Sequence, residues 1–447
     1  MLQIKDNFDI LVNELNFLFY DANNYIKNIL DTAKIKTRLR QLTFCDALIY
    51  KFMCSYKNIT NSQVVSDLNF TNNNKFTTDK SNYYYKEQKI PLTFYQNILL
   101  KTKQLFTKYE NKNILNKIIA VDGTYNNTNF KKDKNLETTL NMGYYDVTNC
   151  IPINIELKNY DTKNKEVESF ITYITNNNLD MQNIIFVMDR AYFSYDLFEI
   201  LNEKKIKFVI RVKNNCVHLN NKHKNKNKKI LNDIRFVVYE SDVVLIKKDK
   251  NNKDRKITQH LACNIATNLD QKYNDEIIKN IYKSRWDVET FFKLLKYNFK
   301  FTNLTEHNKE TRTCYLKTYT AILINCILER LFELQINSIN KETDKYTIKY
   351  NKSLAVNGLK KIIPDIINSN LTTDKLLKYL NCYIDPIYCE KNKHNPRTSK
   401  RPFTKWYVKA YINLYKYAKI IDCVDNDCIS DLNKNLKMEA QTIQINT

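Results

Sequence analysis

The stretch Asn183-Ile-Ile-Phe-Val-Met-Asp-Arg-Ala-Tyr-Phe193 decides the fold. Ile184 to Met188 are apolar without interruption and stop abruptly at Asp189. A short, unbroken apolar run closed by a polar turn is the pattern of a strand buried on both faces. Upstream, Lys117-Ile-Ile-Ala-Val121 repeats the pattern and stops at Asp122-Gly123, which reads as a strand followed by a turn. Downstream, Lys207 to Val212 (KFVIRV) gives a third such run, and Tyr144 to Leu157 offers two more. Helical spacing lies between them, at Glu166–Leu179 and Phe193–Glu203. Strands alternating with helices predict an α/β core.

Outward from this core the character changes twice. Residues 214–266 read as a β-rich insertion, with a solvated basic turn at 219–229 and strand-like runs at 235–246 and 257–266. From Asp275 to Lys300 the period is helical, and it stays mostly helical to about residue 420, with a basic loop at 391–405. Residues 1–105 also read as helical. Thr43 is placed to cap one helix and Asn61 to precede another, so Thr43–Leu68 is either a helix–turn–helix-like pair or part of a small bundle. The expected organisation is a helical region over 1–105, a central domain over 106–335 and a helical region with a polar tail over 336–447.

The chain has 447 residues, with 71 Lys+Arg against 48 Asp+Glu and a formal charge of +23. Hydrophobic residues make up 43%, enough for an ordinary core, which excludes global disorder. Abundant Asn, Lys, Ile and Tyr share A/T-rich codons, so part of the lysine excess reflects coding bias. The surplus still favours a polyanionic partner, nucleic acid foremost. No apolar run reaches the ~18 residues of a membrane span. The longest candidate, Ala321–Leu334, is cut by Glu329 and Arg330. The opening MLQIKDNFDI carries aspartates where a signal peptide needs basic and then apolar residues. A soluble, intracellular protein with no membrane partner is expected, cytoplasmic if the host is prokaryotic.

Asp122 and Asp189 share one setting, each closing a buried strand. A carboxylate there costs desolvation unless a metal or a base partners it, and strand C-termini are where sites gather in open α/β sheets. The alternative is two ordinary turn-capping aspartates. On the helix Ile281–Lys300, Tyr282, Arg285, Glu289 and Lys296 fall on one stripe roughly 60° wide at about 100° per residue. Val288, Phe291 and Leu295 occupy the adjoining face, suited to packing on a sheet. A polar stripe on a helix so rich in large aromatics suggests a site more than a solvated face.

The spacing Tyr282-x2-Arg285-x3-Glu289-x6-Lys296 resembles the signature of DDE transposases of the insertion sequence four type. Asp122-Gly123-Thr124 is similar to that family's first acidic motif, and Asp189-Arg190-Ala191-Tyr192-Phe193 to its second, with Ala191 where Gly is commoner. Phe208–Lys213, Thr267-Asn268-Leu269 and the basic segment Asn395–Arg401 resemble further family blocks in the same order. The resemblance covers about residues 35–410. It implies an α/β fold: a ribonuclease H-like mixed sheet with a β-rich insertion, flanked by helical N- and C-terminal regions.

The resemblance also implies that Asp122, Asp189 and Glu289 are the catalytic acids, holding two Mg²⁺ ions about 3.5–4 Å apart. Mn²⁺ would substitute, since hard carboxylate oxygens suit both. It further implies DNA contacts from Tyr282, Arg285 and Lys296, double-stranded DNA as partner at element ends and target, and a homodimer on DNA. Trp286 fits either core packing or stacking on an unpaired base. Arg397, Lys400 and Arg401 suit phosphate contact as well as they suit a plain surface loop. Cys382, Cys389, His394, Cys423 and Cys428 miss the usual zinc spacing, and no zinc site is expected. Two rivals stay open: a domesticated DNA-binding protein without catalysis, and a structure-specific nuclease of the same fold.

Overall fold

In a computed structural model the described residues are 2–32, 42–71, 79–110, 116–128, 137–159, 165–176, 181–212, 234–248, 254–301, 311–337 and 346–388. Their centre is a seven-stranded mixed sheet of order β3-β2-β1-β4-β5-β7-β6. The strands are β1 (Lys117–Thr128), β2 (Glu137–Asp146), β3 (Ile151–Asn159), β4 (Ile184–Met188), β5 (Lys207–Val212), β6 (Arg235–Lys248) and β7 (Asp254–Thr267). β1, β2 and β3 form an antiparallel meander, while β4 and β5 run parallel to β1. Parallel neighbours need a crossover. α6 (Lys165–Asn176) lies between β3 and β4, and α7 (Tyr195–Glu203) between β4 and β5. This is a ribonuclease H-like mixed α/β arrangement.

The strand pattern sets the two faces of the sheet. Ile119, Val121, Ile184, Phe186 and Met188 share a core with Val167, Phe170 and Ile171 of α6 and Leu197 and Phe198 of α7. The alternate residues point the other way. Ile185 and Val187 pack with Ile278, Ile281 and Tyr282 of α8 (Asp275–Ser284). Ala120 joins the cluster of Val288, Phe291, Phe292 and Leu295 from α9 (Trp286–Asn298). Both faces are covered, which is why these strands read as continuous apolar runs. Gly143 on β2 is where α9 comes closest: a Cβ there would sit 2.6 Å from Phe292 Cζ.

Three expectations change in the structure. The strand containing Asp122 does not end there; β1 continues to Thr128 because β2 pairs with it from Ile119 to Thr128. What ends is β4, whose last pair with β1 is Met188–Val121. The helix expected over 281–300 is two helices meeting at Arg285, where Arg285 N–H bonds Tyr282 O and Val288 N–H bonds Arg285 O, at 3.1 and 3.3 Å. Such i→i−3 bonds tighten one turn without a proline or glycine. The insertion is no separate module: β6 and β7 form a hairpin, and β7 pairs antiparallel with β5 to extend the central sheet. Asn268 fastens this junction, accepting from Phe208 N–H at 3.0 Å and donating to Ile206 O at 2.9 Å.

Helices from the two ends of the chain share one apolar core. It joins α1 (Leu2–Thr32), α2 (Phe44–Cys54), α3 (Asn61–Thr71), α4 (Lys80–Gln88) and α5 (Leu92–Thr107) with α10 (Thr311–Asn337), α12 (Ile363–Ile367) and α13 (Thr373–Asn381). α11 (Lys352–Gly358) packs beside α9 and α10. Thr43 caps α2 through a full capping box with Asp46. Every residue of α2 from Asp46 to Met53 is buried, so this helix is the hub of a bundle. The stretch expected to be helical throughout also holds a two-stranded sheet of β8 (Tyr346–Tyr350) and β9 (Ile384–Tyr388). The basic loop at 391–405 and the polar tail lie outside the described residues. Among the described residues no helix is long and apolar enough to cross a membrane.

Candidate active site

Strand register brings the two aspartates together. Val121 and Met188 are the last partners of the parallel pair, so Asp122 and Asp189 are each one residue beyond it on adjacent strands. Parallel strands lie about 4.8 Å apart. Alternation after Ala120 and Val187 turns both residues toward the α8–α9 face. Each carboxylate takes a local backbone donor: Gly123 N–H to Asp122 Oδ1 at 3.0 Å, and Ala191 N–H to Asp189 Oδ1 at 2.6 Å. The turn-capping alternative is therefore true as far as it goes, since Asp189 caps the short turn Arg190–Tyr192.

Capping does not account for the electrostatics. Burial is the main force pushing Asp122 from 3.8 up to about 7, and the neighbouring Asp189 charge adds to it. Glu166 pushes the same way, while Arg285 and the Gly123 N–H pull it back without balancing the rise. Two acids are thus crowded at the open end of β4 with too little positive charge between them.

Arg285 is the main cation of the site. Its Nη2 donates to Glu289 Oε1 at 2.6 Å, one turn along, and its guanidinium lies 6.0 Å from the Tyr282 ring centroid. Tyr282 is itself buried and meets Tyr239 of β6 edge-on at 5.8 Å, so the inserted hairpin forms one wall. Lys296 Nζ donates to Thr124 Oγ1 at 2.6 Å, tying α9 to β1 two residues beyond Asp122. Burial lowers the Lys296 ammonium's proton affinity, and Asp122 partly restores it. Trp286 is 38% exposed at the head of α9, with Lys293 Nζ 4.8 Å from its ring centroid. It is neither core nor free-standing.

Asp122, Asp189, Tyr282, Arg285, Glu289 and Lys296 thus line one cleft between the end of β4 and the α8–α9 junction. Glu289 reaches it through Arg285. Among the described residues no three acidic, His or Cys side chains converge as a ready-made metal cage. Arg397, Lys400 and Arg401 lie outside the described residues, as do Cys389, His394, Cys423 and Cys428. One neighbour escaped the sequence reading: Glu166, in the first turn of α6, accepts from Tyr125 Oη at 2.8 Å and sits against Gly123. An acid in a helix's first turn is so ordinary a partner of the helix dipole that its spacing gave no signal.

Residues 115–326 match the family described as the transposase DDE domain. A Synechocystis sp. protein that bears the name of a transposase for insertion sequence element IS4SA is 30% identical over 156 residues, which are 34% of this chain and 42% of that protein. The chain therefore spans less than half the length of this curated relative. A solved structure of piggyBac transposase in a synaptic complex with hairpin DNA aligns over 84% of this chain and 75% of that one, at 11% identity and a TM-score of 0.33. The family match encloses Asp122, Asp189 and the Tyr282–Lys296 helices, and together with the curated relative it supports a DDE transposase.

Proposed function

We propose that the chain is a DNA transposase of the Tyr-Arg-Glu-Lys signature group that binds the terminal inverted repeats of its element, cuts there and joins the 3′ ends to target DNA. The observation that carries this reading is the pair Asp122–Asp189, set side by side by the β1–β4 register and left short of positive charge. Such a pair fits a divalent cation: the donors are hard oxygens, and a bound ion would relieve the repulsion that raises Asp122. Asp122 and Asp189 would hold Mg²⁺ or Mn²⁺, with Glu289 as the third acid. The ions supply activation of the attacking hydroxyl and stabilisation of the leaving oxygen at phosphorus.

The chain's own residues do the rest. Arg285 holds Glu289 at the cleft edge and moderates the charge on Asp122. Lys296, anchored on Thr124, presents an ammonium beside Asp122 for a DNA phosphate, and Tyr282 closes the wall behind Arg285. In this reading the N-terminal helices recognise the ends. The C-terminal region contributes to pairing of two protomers on DNA, because two ends require two sites.

The competing reading is a chain that binds DNA without cutting it, and the Arg285–Glu289 ion pair is the observation that favours it. An excision assay separates the two. A marker flanked by the gene's own neighbouring DNA is placed on a plasmid, and wild-type protein or Glu289→Gln is supplied separately. Loss of the marker with wild type alone supports the transposase. Binding of the flanks with no excision by either protein would overturn it in favour of the silent DNA binder.

A further inference from the structure

Glu166 is the one acid near the aspartates that comes from the opposite side of the sheet. Along β1, Asp122 faces α8–α9 while Gly123 faces α6, as alternation requires. Glu166 fills the space a side chain at position 123 would take: a Cβ on Gly123 would lie 2.7 Å from its Cδ and 2.8 Å from its Oε1. Tyr125, two residues on and on the same face, donates its hydroxyl to Glu166 Oε1 at 2.8 Å. Among the described residues no lysine or arginine pairs with Glu166, although Asp122 and Asp189 are both close enough to repel it.

A helix-dipole role does not explain this seating. That interaction is worth about 0.3–1 kcal/mol and is available to any acid in the first turn; Glu168, on the same turn, occupies no such niche. Glu166 instead lies over the one glycine of β1, reaching past the point where β4 has ended. A carboxylate held next to two others, with a phenol fixing its orientation, is arranged to share a cation with them.

Resting on the cation reading of the Asp122–Asp189 pair, we infer that Glu166 is a fourth carboxylate of this cleft, contributing to divalent-cation binding, with Tyr125 and the bare backbone of Gly123 as the positioning elements that seat it.

The test is Mn²⁺ binding to the purified full chain, stripped with EDTA and titrated while free Mn²⁺ is followed by electron paramagnetic resonance. Glu166→Gln should raise the Mn²⁺ Kd about tenfold or more, as losing a supporting group of a metal site does. Tyr125→Phe should raise it less, and Glu168→Gln not at all. Gly123→Ala pushes only the flexible end of Glu166 aside, so it should weaken Mn²⁺ with its thermal melting little changed. It serves in place of Glu166→Gln if that variant fails to fold. If Glu166→Gln and Gly123→Ala bind as wild type while Asp122→Asn does not, Glu166 is a helix-end acid and the inference falls alone. If wild type and Asp122→Asn bind equally weakly, the cation reading falls and takes the inference with it.

Discussion

Replacing Asp122 by Asn should make the metal-free protein more stable, and more so as the pH rises. The folded state raises this carboxyl from 3.8 to about 7. At about 1.4 kcal/mol per tenfold change in proton affinity, ionising it in place costs about 4 kcal/mol relative to ionising it in the unfolded chain. Because the folded-state value lies above the unfolded one, the stabilising contribution of the bound proton is complete below pH 4 and is lost as the pH rises through about 7. At pH 5 the unfolded chain has already released its proton, which accounts for about 1.6 kcal/mol of the total. Asn mimics the protonated acid at every pH. The gap between Asp122→Asn and wild type should therefore widen by about 2.5 kcal/mol between pH 5 and pH 8.

Urea unfolding in EDTA at those two pH values measures it. A gap that does not change with pH would mean that Asp122 ionises as an exposed acid does, and the crowding argument would be refuted. Millimolar Mg²⁺ at pH 8 should then narrow the gap, because only wild type keeps the full acidic pair.

Two further substitutions probe the charges around the site. Arg285→Ala strips Glu289 of its 2.6 Å partner and Asp122 of a countercharge. It should cost about 2 kcal/mol in urea unfolding at pH 8 and abolish excision; unchanged stability would show that the pair is too solvated to matter. On α10, Glu329 is fully buried, its carboxylate oxygens accept no hydrogen bond, and Lys352 Nζ is 3.7 Å away. Burial pushes Glu329 up to about 7. Lys352→Met should therefore cost about 3 kcal/mol at pH 8 and less at pH 5, where Glu329 keeps its proton, and adding Glu329→Gln should recover most of the loss. An equal loss at both pH values would exclude an ionised Glu329.

The elements that form the centre of the sheet were legible because a strand buried on both faces leaves a simple trace. KIIAV, NIIFVM and KFVIRV are unbroken apolar runs, and each became a strand of the core. The cap at Thr43 was legible for a similar reason, since a capping box is local chemistry between residues three apart. The grouping of Tyr282, Arg285, Glu289 and Lys296 was visible in helical periodicity even though the helix breaks at Arg285, because one tightened turn rotates the stripe without scattering it.

What the sequence could not determine is what depends on partners distant along the chain. Asp122 looked like the end of its own strand; it is the point where a different strand, sixty-odd residues on, runs out. Whether β6 and β7 stand apart or extend the sheet depends on β5 offering a free edge, which no local pattern encodes. Glu166 belongs to the cleft only because Gly123 lacks a side chain and α6 crosses just above it. Local propensity and periodicity fix strands, caps and helix faces through interactions a few residues long. The electrostatics of the cleft arise from burial and from charges brought together across the whole domain, and these exist only once the chain has folded.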